Sequence, residues 1–163
     1  FFPGSTIGNF DPQQAVKVLE EIKMMVGENG GLLIGVDLQK ETQLLNAAYN
    51  DKSAYTAAFN KNLLVRINRE LDADFDVEQF QHYAFYNEEE CRIEMHLISL
   101  QDQQVTIENQ KFSFKKDQSI LTEYSHKYSI ESFQRLSEQA GFESVETWID
   151  KDGLFSVHYL RSR

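Results

Sequence analysis

The chain has 163 residues, of which 41% are hydrophobic, and a formal net charge of −10 at pH 7. Proteins that follow nucleic-acid phosphates concentrate lysine and arginine on one face, and no basic run occurs here. No apolar run approaches the roughly 20 residues that span a bilayer. These features argue against nucleic-acid and membrane partners and leave small molecules or proteins.

The opening of the chain predicts the end of a strand, a loop, a helix and a second strand. The loop lies within FFPGSTIGNF. Asp11 before Pro12 marks a helix start, because the carboxylate caps the first turn and proline is tolerated at the first helical position. Apolar residues at helical spacing extend this helix over about 12 to 26. GLLIGVDL follows and ends near Asp37, and such a run is typical of a parallel strand buried on both faces.

Two helices are predicted next, over about 41 to 50 and 53 to 71. The second carries one apolar stripe, with Asn60, Asn62 and Arg69 outside it; the stripe consists of Ala57, Ala58, Leu63, Leu64, Ile67 and Leu71. Strands that alternate with helices at this spacing predict a doubly wound α/β sheet.

The character of the chain changes between about Phe85 and Lys127. This segment contains the short runs RIEMHLISL, QQVTIEN, KFSF and SILTEYSHKYS, which predict an antiparallel β element inserted into the α/β frame. Ser129 or Ser132 then begins a last helix, which Gly141 ends. FESVETWID and LFSVHYL flank a DKDG turn and predict a closing hairpin.

Several motifs together resemble the histidine-specific methyltransferase family, whose members use S-adenosylmethionine. In chain order they are FPGSTIGNF, LLIGVDL, AAYND, TAAFNKNLLVRINRELDADF, RIEMHL, LTEYSHKYS and GLFSVHYL. The resemblance covers essentially the whole chain. The best-known activity in this family makes trimethylhistidine, the first step of ergothioneine biosynthesis.

The resemblance implies an α/β fold, the second half of a Rossmann-like class I methyltransferase sheet, with an inserted antiparallel β-rich substrate-binding domain. Residues 1–75 would belong to the methyltransferase domain, residues 76–128 would form the insertion, and residues 129–163 would complete the methyltransferase domain. The helix ending in AGF and the closing hairpin fit the end of that sheet, where the last strand inserts antiparallel.

The cofactor motif is the main departure from the family. The family's glycine-rich loop lies upstream of the position of Phe1, and Gly30, Gly31 and Gly35 form no G-x-G-x-x-G pattern after a strand. We therefore expect the chain to be the C-terminal part of a longer enzyme and inactive by itself. An open sheet edge would also favour self-association of such a chain.

Three residues of the first half match family positions at the bound ligands. Asn9 would hold the amine and carboxylate of the substrate, since an amide offers both donors and an acceptor without a charge. Tyr49 would donate to the substrate carboxylate, and Gly4 would allow close backbone approach near the cofactor. Without the family, Asn9 caps a turn, Tyr49 is a helix-face tyrosine and Gly4 is a turn glycine.

Three residues of the second half match positions at the substrate side chain. Glu123 and Ser125 lie two apart on a predicted strand and so share a face. By resemblance they contact the two nitrogens of an imidazole, Glu123 accepting and Ser125 donating. Met95 would line the pocket, and core packing is an equally good interpretation.

Metal and thiol chemistry have little support in the sequence. The four histidines stand singly, without the spacing of a zinc site: His82, His96, His126 and His158. Cys91 lacks the basic surroundings of a reactive thiol. A single cysteine also excludes an internal disulfide and fits a reducing, cytoplasmic compartment.

The predicted function is methylation of the α-amine of histidine, up to trimethylhistidine, with S-adenosylmethionine as donor. Positioning of the amine supplies most of the catalysis in such a displacement, so no acid–base residue is assigned. Two alternatives stay open: a relative that acts on another amino-acid-like amine, and a catalytically silent substrate-binding fragment.

Overall fold

The computed structural model describes all 163 residues, which divide into two compact units. We call Phe1–Glu41, Asn87–Ile93 and Tyr124–Arg163 the α/β unit, and Thr42–Tyr86 with Glu94–Glu123 the β-rich unit. The helices of residues 41–71 fall in the β-rich unit, whereas the sequence pattern grouped them with the methyltransferase domain. The proposed domain division stays a prediction.

Four helices and eight strands make up the chain. The helices are α1 (Pro12–Val26), α2 (Thr42–Tyr49), α3 (Tyr55–Glu70) and α4 (Ile130–Gln139). The strands are β1 (Gly31–Asp37), β2 (Phe80–Asn87), β3 (Arg92–Ser99), β4 (Gln103–Ile107), β5 (Gln110–Phe114), β6 (Ser119–His126), β7 (Phe142–Ile149) and β8 (Phe155–Ser162). None of the helices is long and apolar enough to cross a bilayer.

The helix starts of the α/β unit are those that the sequence predicts. Asp11 caps α1 by accepting from the Gln14 backbone N–H at 2.8 Å, and the Gln14 side chain accepts from the Asp11 N–H at 3.3 Å. Ser129 and Ser132 form the same reciprocal pair at the start of α4. Each pair satisfies two backbone donors that a helix end would leave without partners.

The central strand of the α/β unit is β8, which lies between β1 and β7 and runs antiparallel to both. The closing hairpin and its antiparallel last strand are therefore confirmed. The expectation that GLLIGVDL is a parallel strand buried on both faces holds only in part. β1 pairs antiparallel with β8 along its length, parallel contact is limited to single bridges at Ile34 and Leu38, and Leu33 is 37% exposed. A short apolar run indicates burial but not strand direction.

The core of the α/β unit lies between this sheet and the helices α1 and α4. Its buried apolar cluster consists of Ile7, Ala15, Leu19, Leu32, Ile34, Val36, Tyr128, Phe133, Leu136, Ala140, Phe142 and Leu160. β7 is an edge strand of this sheet, and its Trp148 and Ile149 are 51% and 52% exposed. Self-association through a sheet edge stays a prediction.

The β-rich unit contains a sheet in the order β2-β3-β6 and a separate hairpin of β4 and β5. The antiparallel hairpin is confirmed, while β2 begins at Phe80, earlier than the predicted strand region. Its core is a smaller cluster in which the rings of Phe75, Phe80 and Phe114 pack edge-on or tilted at 5.6–6.2 Å.

The side chains of Asn46 in α2 and of Asn50, the residue that follows the helix, hydrogen-bond to the backbone of β2. The Asn50 amide donates to the Ala84 carbonyl at 2.8 Å and accepts from the Ala84 N–H at 3.2 Å. Asn46 accepts from the Tyr86 N–H at 2.7 Å. β2 stands at the end of the strand order, so these amides join the helix to an edge strand.

The apolar stripe predicted for α3 is wrong in part. Leu64 is buried, but Leu63 and Leu71 are 39% and 42% exposed. Asn60, placed off the stripe by its polarity, is only 3% exposed. Its amide nitrogen lies 3.0 Å from His82 Nδ1 and 3.1 Å from the His96 carbonyl oxygen, and these bonds offset the cost of burying it.

Candidate functional site

The loop that carries Gly4 and Asn9 is held against β1 in the α/β unit. Gly4 and Ser5 have φ values of 72° and 55°, in the left-handed region where a side chain is strained and glycine is not. Ser5 is buried, and its hydroxyl oxygen accepts from the Asp37 backbone N–H at 2.9 Å. The turn is thereby tied to the carboxyl end of the neighbouring strand.

Gly8 brings the same loop close to the end of β6. A Cβ at this position would lie 2.7 Å from the His126 carbonyl oxygen, so only glycine fits without a shift of the backbone. Asn9 follows as the exposed last residue of a short 3-10 helix, Thr6–Asn9. Its alternative role, as the cap of a turn before the helix that Asp11 starts, also stays open. Its role at the substrate stays a prediction.

Ser125 belongs to a buried polar network at the end of β6. Its hydroxyl lies 2.8 Å from Lys127 Nζ, and that ammonium lies 2.9 Å from Asp37 Oδ2. Ser125 and Lys127 are 6% and 2% exposed. Lys40 forms a second ion pair with Asp37. Because Asp37 also binds Ser5, the network joins three motifs that are far apart in the sequence.

His126 lies between Ser125 and Lys127 in sequence and so points to the other face of the strand end. Burial, followed by the Arg92 guanidinium, lowers the pKa of His126 below its usual value. The imidazole is therefore neutral near pH 7. Its Nε2 is buried without a hydrogen-bond partner.

Glu123 lines a small pocket in the β-rich unit. The pocket has a volume of about 140 Å³, and Asn60, Asn62, Arg66 and Thr122 are among its other lining residues. Glu123 is half-buried near the end of β6. It thus brings a carboxylate to a wall that also carries amides, a guanidinium and a hydroxyl.

Tyr49 and Met95 occupy separate positions in the β-rich unit. Tyr49 is the half-buried last residue of α2, and its carbonyl lies 2.9 Å from His82 Nε2. Because Asn60 Nδ2 can only donate to His82 Nδ1, His82 Nε2 carries the hydrogen and donates to that carbonyl. Met95 is 3% exposed in β3, and its carbonyl accepts from Thr122 Oγ1 at 2.9 Å. The structure leaves its two interpretations open.

Three grooves of the α/β unit contain none of the predicted site residues. One of them, of about 580 Å³, is lined by α1 and α4 with Lys17, Tyr128 and Arg135. Burial raises the pKa of Tyr128 to about 12, so its phenol stays protonated. No group of three or more histidine, cysteine or acidic side chains is placed to hold a metal ion.

The sequence did not reveal the buried hydrogen bonds and ion pairs of three polar residues: Lys127, Asp37 and Asn60. One signal was present for Lys127, which follows Glu123 and Ser125 at the same two-residue spacing on one strand face. Their binding partners come from distant segments, which a local pattern does not contain.

Comparison with known proteins gives a consistent result. A family model described as histidine-specific methyltransferase, SAM-dependent, matches residues 1–162. The histidine N-alpha-methyltransferase of Mycolicibacterium smegmatis is 38% identical over 158 residues, which cover 96% of this chain and 49% of that protein. The L-tryptophan methyltransferase of Psilocybe serbica is 28% identical over 166 residues, covering 99% of this chain and 46% of that protein. The chain thus spans about half the length of these curated relatives.

A solved structure has a related fold. The CcbJ methyltransferase from Streptomyces caelestis superposes with a TM-score of 0.50 at 11% identity, covering 99% of this chain and 58% of that chain. At this identity the likeness concerns the fold alone, an α/β methyltransferase fold.

Proposed function

This chain belongs to the histidine-specific, S-adenosylmethionine-dependent methyltransferase family, and on that premise we propose that it forms part of an enzyme that methylates the α-amine of histidine, up to trimethylhistidine. The observation that carries the proposal is the pair Glu123 and Ser125 on β6. One lines a pocket of the β-rich unit, and the other is buried and held by a lysine. The identity of 38% to a histidine N-alpha-methyltransferase supports the same substrate.

The chemistry divides between the cofactor and the protein. The cofactor supplies the methyl group from its sulfonium. The side chains of this chain bind and orient the amino acid: Asn9 and Tyr49 its amine and carboxylate, Glu123 and Ser125 its imidazole, with Met95 at the pocket wall. Such positioning accounts for much of the rate of a displacement between two bound groups.

The share of this chain in cofactor binding is small. Gly4 fits a backbone turn that a ligand can approach, because it is exposed, has positive φ and has no close neighbour where a Cβ would be. Gly30 precedes β1, Gly31 begins it and Gly35 lies within it, so none opens a helix after a strand. We propose that the main contacts to S-adenosylmethionine come from outside these residues.

The first test compares substrates in the complete protein. Purified protein is incubated with S-adenosylmethionine and either histidine or tryptophan, and products with one, two and three added methyl groups are separated by mass. We expect histidine to be the better substrate by kcat/KM. A preference for tryptophan would favour the alternative amine, for which the Psilocybe serbica relative is the precedent.

Two substitutions separate the roles of the site residues. Glu123→Ala leaves an imidazole N–H without its acceptor and is expected to cost about 1–3 kcal/mol of binding. That corresponds to roughly a five- to hundredfold loss of affinity for histidine. Asn9→Ala is expected to lower kcat as well, because the amine loses its orientation. An unchanged preference for histidine in Glu123→Ala would remove Glu123 from the imidazole site.

A further inference from the structure

The loop before α1 is attached to the edge of β1 by a side chain. Phe2 bonds to that edge through its backbone, donating to the Leu33 carbonyl at 2.8 Å and accepting from the Gly35 N–H at 3.0 Å. The next N–H on the same edge belongs to Asp37, and the Ser5 hydroxyl oxygen accepts from it at 2.9 Å. In a continuing strand a backbone carbonyl would accept at this position. The Ser5 hydroxyl therefore holds the chain to β1 after the backbone has turned away.

A second contact of the same loop is the close packing of Gly8. Its N–H donates to the Ser5 carbonyl at 2.9 Å, so both contacts belong to one turn. Gly8 is buried, and a Cβ there would lie 2.7 Å from the carbonyl oxygen and 3.3 Å from the nitrogen of His126. Both are backbone atoms, which cannot rotate away as a side chain can. The loop is thus fixed to β1 through Ser5 and against the end of β6 through Gly8.

We propose that Ser5 and Gly8 are positioning residues for Asn9, an inference that rests on the function proposed above. Asn9 follows Gly8 directly and is exposed, and its amide is the proposed contact to the amine and carboxylate of the substrate. An exposed loop loses conformational freedom when it binds a ligand, unless its backbone is already fixed. The two contacts fix that backbone. Misplacement of a reacting group by about 1 Å can cost about a hundredfold in rate, so Ser5 and Gly8 act on methyl transfer through the place of Asn9.

The first experiment removes the Ser5 hydroxyl and keeps the turn. In Ser5→Gly the new residue adopts positive φ without strain, so the variant is expected to fold. Steady-state kinetics of the complete protein with S-adenosylmethionine and histidine should show kcat lowered about tenfold and KM changed less. In an Asn9→Ala background, Ser5→Gly should have little further effect on kcat, because Ser5 acts through Asn9.

Ser137→Ala is the matched control. Ser137 is fully buried in α4, and its hydroxyl donates to the Gln134 carbonyl at 2.8 Å. Like Ser5, it joins a buried hydroxyl to the backbone of the α/β unit, but it lies on a different element from Asn9. We expect Ser137→Ala to lower the free energy of unfolding and to leave kcat unchanged. Equal losses of kcat in Ser137→Ala and Ser5→Gly would assign the effect to stability and overturn the inference.

The Gly8 contact is tested with Gly8→Ala. The added methyl group must push the loop away from the His126 backbone, and Asn9 moves with it. We expect kcat to fall further than in Ser5→Gly, up to about a hundredfold. A folded Gly8→Ala variant with the kcat of wild type would overturn the inference. Urea unfolding establishes whether the variant is folded, and Ser5→Gly decides the question if it is not.

The outcomes separate the two proposals. The amine and carboxylate that Asn9 would hold are common to all amino acids, so a wild type that methylates tryptophan in place of histidine contradicts the proposed function alone. The same variants are then assayed with tryptophan. A wild type that methylates neither contradicts both proposals. A wild type active on histidine overturns this inference alone if Ser5→Gly keeps its kcat, or if the losses from Ser5→Gly and Asn9→Ala are independent and additive.

Discussion

The two units are each held together by polar groups of different kinds. In the α/β unit the buried polar side chains include ionisable groups, namely Lys127, His126 and His158. In the β-rich unit, side-chain amides on α2 and α3 or just after α2 bond to neighbouring backbone: Asn60 is buried, Asn46 and Asn68 are half-buried, and Asn50 is exposed. Amides do not titrate, whereas imidazole and ammonium groups do. The comparison indicates that the interior of the α/β unit is sensitive to pH, and that the bonds of Asn46, Asn50 and Asn68 in the β-rich unit are not, whereas Asn60 also bonds to an imidazole, that of His82.

The strongest test of this contrast is acidification, because His158 is fully buried. Its ring nitrogens lie 3.2 Å from Thr147 Oγ1 and 2.9 Å from Ser156 Oγ, and burial lowers the pKa of His158 to about 4. Between its ordinary value of 6.5 and about 4, the unfolded state binds more protons, so the free energy of unfolding falls as the pH is lowered. The loss from this group amounts to about 3 kcal/mol.

The measurement compares urea unfolding of wild type and His158→Gln at neutral pH and near the lower pKa. We expect the variant to be less stable at neutral pH and to lose less stability on acidification. Amide hydrogen exchange would locate the loss in the α/β unit. Equal losses in both proteins would show that His158 does not create the pH dependence.

The matching test in the β-rich unit is Asn68→Ala. The Asn68 amide donates to the Phe75 carbonyl and accepts from the Phe75 N–H, both at 2.8 Å, beside a buried ring. Removing it leaves two backbone groups with fewer partners and is expected to cost about 2 kcal/mol. The control is Asn62→Ala on the same helix, an exposed position where a change within about 0.5 kcal/mol is expected.

We expect Asn68→Ala to lower the free energy of unfolding by the same amount at neutral and acid pH, which would sharpen the contrast between the units. Denaturant unfolding of both asparagine variants at the two pH values provides this comparison. A loss that grows on acidification would mean that ionisable groups also control the β-rich unit, and the distinction between the units would fail.

The smallest expected effect concerns a helix start of the α/β unit. Asp11→Ala removes the side-chain acceptor for the Gln14 N–H and should lower the free energy of unfolding by about 1 kcal/mol. Asp11→Asn keeps an acceptor and should cost less. The two variants are compared by urea unfolding at neutral pH, and equal losses would assign the effect to charge instead of to the cap.

The sequence predicted well those elements whose signals are local. The start of α1 follows from Asp11 and Pro12 and its length from its apolar spacing, and the β7–β8 hairpin follows from its DKDG turn. The direction of β1 did not follow, because its apolar residues record burial and its partner is the last strand of the chain.

The candidate site shows the same limit. Glu123 and Ser125 were identified by resemblance, and their roles at the substrate remain predictions. Asn60 was missed because an amide counts as a surface residue in a hydrophobic pattern, and its partners His82 and His96 lie on strands distant in sequence. Lys127 was missed because its partner Asp37 also lies in a distant part of the sequence, in another motif.

The amides of Asn46 and Asn50 on β2 have a consequence for behaviour at high concentration. An edge strand with unpaired N–H and C=O groups is a template on which a second chain can add a strand, which leads to aggregation or domain swapping. Here the Ala84 and Tyr86 groups on that edge already have partners from a helix. An incoming strand would first have to displace three hydrogen bonds made within one molecule. The hydrogen bonds of Asn46 and Asn50 therefore disfavour the addition of a strand from a second molecule to β2.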